Sequence, residues 1–74
     1  MMLSPGMLAR VDSKWNVFLY GFEPDSQVSG QVEAGSIVLV LGIKLRDRER
    51  GCYVLVLAAN RMGYVYDVNL EVIQ

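Results

Sequence analysis

Apolar and polar residues alternate over short runs, and turn-forming residues separate those runs, so the chain reads as strands from end to end. Ser4-Pro5-Gly6 leads into a first strand from Met7 to Val11. Trp15 to Tyr20 is the second, with Trp15, Val17 and Leu19 on one face and Asn16, Phe18 and Tyr20 on the other. A polar loop from Gly21 to Gly30 then carries Pro24-Asp25. The strongest alternation runs from Ser36 to Leu45, where Ile37, Leu39, Leu41, Ile43 and Leu45 interleave with Val38, Val40, Gly42 and Lys44. A charged run, Arg46-Asp47-Arg48-Glu49-Arg50-Gly51, interrupts it as a solvated loop would. Strands from Cys52 to Ala59 and from Met62 to Tyr66 follow, joined by a turn in which Asn60 best tolerates a left-handed backbone. No helix of ordinary length fits between these turns.

The pattern predicts an all-β fold of about five short strands closed into a small barrel, with Ile37, Leu39, Leu41, Val54, Val56, Val65 and Leu70 in its core. Two strands, Ile37 to Ile43 and Tyr53 to Ala59, are apolar on both faces. A sheet with one solvated face leaves that face polar, so a second apolar face points to a covered or contacted surface. Val38 and Val40, with Tyr53, Leu55 and Leu57 or their alternating set, are the expected patch. A lid of Trp15, Phe18 and Phe22 folding over it is the competing arrangement.

Composition narrows the chemistry. At 74 residues one domain spans positions 1–74, and a hydrophobic share of 53% is high for so small a body. Seven basic and eight acidic side chains give a net charge of -1, which offers no general attraction for phosphate backbones or anionic lipid. Lys44, Arg46, Arg48 and Arg50, with Arg10 or Arg61 as neighbours, form the one candidate nucleic-acid edge, although Asp47 and Glu49 interleave it. No apolar run reaches membrane-spanning length and the first residues lack a secretory leader pattern, so a cytoplasmic protein is expected. Histidine is absent and Cys52 is the lone cysteine, which leaves no metal cluster, no cofactor site and no catalytic set. Glu23 and Asp25 around Pro24 read as a turn, with too few oxygen ligands for calcium. The chain is therefore expected to be no enzyme.

The order of a long irregular segment, a strong strand, a charged loop, a hairpin and a short closing segment resembles the SH3-like barrel. The nearest local match is Gly63-Tyr64-Val65-Tyr66-Asp67-Val68-Asn69-Leu70-Glu71-Val72-Ile73. The resemblance implies a 3-10 turn after a Gly-aromatic-aliphatic strand and a last strand that pairs back. It also makes Asp12 to Gly35 the long RT-like loop, Arg46 to Gly51 the n-Src loop and Ala59 to Arg61 the distal hairpin. Cys52-Tyr53 stands where such domains carry a tryptophan pair, and Tyr66 and Asn69 stand where they carry proline and tyrosine, so proline-rich peptides are not the implied ligand. The chain is also similar to small stand-alone SH3-like proteins of tailed bacteriophages. That similarity implies a viral accessory or structural protein that binds another protein or assembles with itself, in the host cytoplasm or the virion. Trp15, Tyr20, Phe22, Tyr53, Tyr66 and Asn69 are the candidate partner contacts, and packing in or around the core is their alternative use.

Overall fold

In the computed structural model, which describes residues 3–21, 28–47 and 51–73, the chain forms seven strands and one short 3-10 turn. They are β1 (Leu8–Val11), β2 (Val17–Tyr20), β3 (Val28–Val32), β4 (Ile37–Asp47), β5 (Gly51–Ala58), β6 (Arg61–Tyr66), the turn η1 (Asp67–Asn69) and β7 (Leu70–Val72). All strands join one antiparallel sheet in the order β3-β2-β6-β5-β4-β1-β7. Among the described residues no helix is long and apolar enough to cross a membrane.

The strand count exceeds the expected five for a local reason. The long segment after β2 is not wholly irregular: Val28–Val32 returns along β2, with Val17 opposite Val32 and Leu19 opposite Gly30. The closing segment behaves as expected, since β7 pairs back on β1 and places Ala9 opposite Val72 and Val11 opposite Leu70. Asn69 at the end of η1 anchors the same corner, its carbonyl accepting the Asp12 N–H at 2.8 Å.

A flat sheet of seven strands would be about 29 Å wide and thin across its face. The three extents of this molecule, 26, 25 and 22 Å, are nearly equal, so the sheet curls around its own inner face. That inner face is a single cluster of Ala9, Val11, Val17, Leu19, Val32, Val38, Val40, Val54, Val56, Ala58 and Val65, with Leu3 and Leu70 packed against it.

The core corrects the expected facing of β4. Val38 and Val40 are buried, whereas Ile37 is 51% exposed and Leu41 is also exposed. Leu39 lies opposite Leu57, which is itself exposed, so both belong to the outer face. The inner set is almost entirely valine and alanine. A sheet curled this tightly leaves a narrow interior, and short β-branched side chains fill it in allowed rotamers where leucines would overpack. Val54, Val56, Val65 and Leu70 point inward as expected.

A bulge between Val40 and Gly42 changes the facing again. One extra residue, Leu41, switches the parity of the strand. Ile43 thereby lies opposite the buried Val54, although it shares its odd spacing with the outward Ile37 and Leu39. The β5–β6 turn is corrected too. Among the described residues it is Ala59, at φ 55°, that takes the left-handed backbone, not Asn60. A two-residue hairpin loop with positive φ at its first position follows the twist of the flanking strands.

Candidate functional site

Inward valines fix what lies outside. With Val54 and Val56 buried, β5 presents Tyr53, Leu55 and Leu57 outward, and its register sets Tyr53 opposite Tyr66, Leu55 opposite Tyr64 and Leu57 opposite Met62. Across β4, Leu57 faces Leu39, and Leu39 faces Leu8 on β1. An aliphatic row therefore runs Leu8–Leu39–Leu57–Met62 over four adjacent strands. Ile37 lies beside it, and Met62, the most open of the row, is 59% exposed.

The aromatic rings adjoin this row on β2, β6 and β5. Tyr53 and Tyr66 meet edge to face with centroids 6.0 Å apart, Tyr66 meets Tyr20 at 6.0 Å, and Tyr20 meets Phe18 at 6.3 Å. Such edge contacts hold the rings in fixed orientations and contribute about 0.5–1.5 kcal/mol each beyond burial. Gly63 makes the junction of β6 with β2 possible: a Cβ there would come within 3.1 Å of both the Leu19 Cβ and the Tyr20 carbonyl oxygen.

Three of the six expected contact residues, Tyr20, Tyr53 and Tyr66, thus come together. Trp15 does not belong to this ring chain; it sits in the bend between β1 and β2, 75% exposed, its backbone N–H donating to Ser13 Oγ at 3.1 Å. Asn69 lies in η1, half-buried. Phe22 lies outside the described residues. The expected Val38–Val40 patch is corrected to Ile37 and Leu39, because the valines are inside. Phe18 and Trp15 are themselves exposed, so neither forms the lid. Sequence reasoning missed Met62, Leu8 and Phe18 as surface members. The alternation in β2 already sets Phe18 beside Tyr20, and a preference for valine inside would have turned Leu39 and Leu57 outward.

Of the expected basic edge, only Lys44 and Arg46 fall among the described residues. Lys44 is exposed on β4 opposite Tyr53, and Arg46 is a β4 position, while Arg48 and Arg50 lie outside the described residues. Arg10 is paired with Glu71 at 2.9 Å, and Arg61 packs over Gly30. Among the described residues no three of Cys, Asp and Glu gather as a metal site would require.

No family model, curated protein or solved structure matches this chain.

Proposed function

We propose that the chain is a non-enzymatic interaction module on an SH3-like barrel, of the kind tailed phages encode as accessory or structural proteins, and that it associates with its own copy through the outer face of β1, β4, β5 and β6. The observation that carries this reading is the aliphatic row Leu8–Leu39–Leu57–Met62, continuous across four hydrogen-bonded strands and flanked by tyrosines. The barrel assignment is supported by the neighbours β7-β1-β4-β5-β6 and by η1 between the last two strands of the chain.

Isolated exposed apolar residues are ordinary, but a contiguous row of this size is the mark of a contact surface. With roughly 70–100 Å² open on each large side chain, the face offers on the order of 500 Å² per copy. A symmetric pair would bury about 1,000 Å² in total, which lies at the threshold of a specific interface and corresponds to weak, concentration-dependent association. The centre of the face carries no charge, so like copies meet without repulsion, and the tyrosine hydroxyls supply a polar rim.

Light scattering over a dilution series tests it. The wild-type chain is expected to rise in mass with concentration, and Met62→Glu to hold it at monomer mass with an unchanged denaturation midpoint. A wild-type chain that stays monomeric at every reachable concentration, or a Met62→Glu variant that associates as the wild type does, defeats the proposal.

A further inference from the structure

The opposite side of the sheet holds a second feature, a cleft of about 510 Å³ where β4, β5, η1 and β7 converge. Val54, fully buried, lies against it; Ile43, turned inward by the bulge at Leu41, remains 40% exposed there. Leu70 and Val72 of β7, Cys52 and Leu3 complete the apolar lining. The volume is that of a small-molecule site.

Two carboxylates line the same cleft, Asp67 and Glu71. Glu71 is neutralised by Arg10 at 2.9 Å. Asp67 is not: its Oδ1 is buried and, among the described residues, no donor reaches it. The fold nonetheless keeps space for this group. Gly51, at φ +87°, lies beneath the carboxylate, and a Cβ on it would stand 2.7 Å from Oδ1. Asp67 as a whole is half-buried, but a carboxylate oxygen buried without a donor is costly, and a partner that brings a charge-assisted hydrogen bond relieves that cost. Among the described residues no basic side chain lines the cleft.

The geometry points to a binding site for a small apolar amine, its hydrocarbon stem lying against Ile43, Val54, Leu70 and Val72 and its ammonium group donating to the Asp67 carboxylate. Rotation of the carboxyl group about its last torsion, which is soft, lets either oxygen accept. Hydrophobic contact and a carboxylate oxygen that no described donor serves together select the class: a neutral apolar molecule offers that oxygen no charge-assisted bond, and a hydrophilic cation leaves the lining in water. This site uses inward residues and is independent of the outer-face association.

The test is a titration of the full chain, followed by amide chemical shifts, with n-butylammonium and phenethylammonium and with the matching neutral alcohols. Saturable shifts at Ile43, Cys52, Val54, Leu70 and Val72 are expected, with the amines binding about tenfold or more tightly than the alcohols because only they pair with the carboxylate. Added salt should narrow that gap. Asp67→Asn should remove the amine preference and leave alcohol binding unchanged, and bound amine should slow alkylation of Cys52 by iodoacetamide. Should Asp67→Asn fail to fold, Ile43→Phe, which fills the cleft from the other wall, should abolish shifts with both ligand types. Equal binding of amine and alcohol, shifts at Tyr20, Tyr53 and Tyr66 instead, or saturation by a lysine-bearing peptide but by no free amine would overturn the assignment.

Discussion

Replacing Val40 by threonine and, separately, Ile37 by threonine tests which face of β4 is inside. Threonine keeps the β-branch, so strand preference is preserved and the comparison isolates burial. Val40 is 0% exposed among other valines, and its substitution places a hydroxyl where the neighbours are hydrocarbon. An unpaired buried hydroxyl costs about 1–3 kcal/mol. Ile37 is 51% exposed, and there the hydroxyl stays in water. Its loss should remain within about 0.5–1 kcal/mol, the value of part of one side chain's burial. A domain of 74 residues has roughly 4–11 kcal/mol in total. With a urea slope near 1 kcal/mol/M for a small protein, Val40→Thr should lower the midpoint by about 1–3 M and Ile37→Thr by less than about 1 M. Equal slopes in the two variants would show that the folded and unfolded states are otherwise unchanged. A larger loss at Ile37 than at Val40 would refute the facing assigned to β4 and restore the odd positions to the core.

Two further substitutions examine local contacts. Gly63→Ala should destabilise by roughly 1–3 kcal/mol, since its Cβ would press on Leu19 and on the Tyr20 backbone at 3.1 Å; a thermal midpoint equal to wild type would show that β6 and β2 lie further apart. Arg10→Ala and Glu71→Ala should each leave the urea midpoint nearly unchanged, within about 0.5 kcal/mol, because the pair lies open to solvent at 45% and 46% exposure. A loss above about 2 kcal/mol from either would show that the pair holds β1 to β7.

Alternation and turn residues, both local, were enough to read the β class and the strands around Val17, Val40, Val54 and Val65, whereas the 3-10 turn after Tyr66 and the return of the closing strand were implied only by the resemblance to SH3-like barrels. Each of those four strands rests on neighbouring residues: a period of two, a glycine or proline between runs, a short polar interruption. The same alternation also showed that β4 and β5 are apolar on both sides, and so that one apolar face would have to lie outside.

Which face that would be is a tertiary decision. Hydropathy ranks Ile37 and Leu39 with or above Val38 and Val40, yet the curled sheet leaves room inside for valine and alanine, and the longer side chains turn outward. The bulge at Leu41 then reverses the facing of Ile43, an event set by pairing with β5 rather than by the run of residues in β4. The candidate sites lie equally beyond local reading. Tyr20, Tyr53 and Tyr66 touch only because β6 runs between β2 and β5. Asp67 comes to lie over Gly51 only because η1 packs back on the start of β5. Spacing along a strand fixes the direction of a side chain relative to its neighbours, whereas strand order and curvature decide what it meets, and those arise only when the whole sheet assembles around its core.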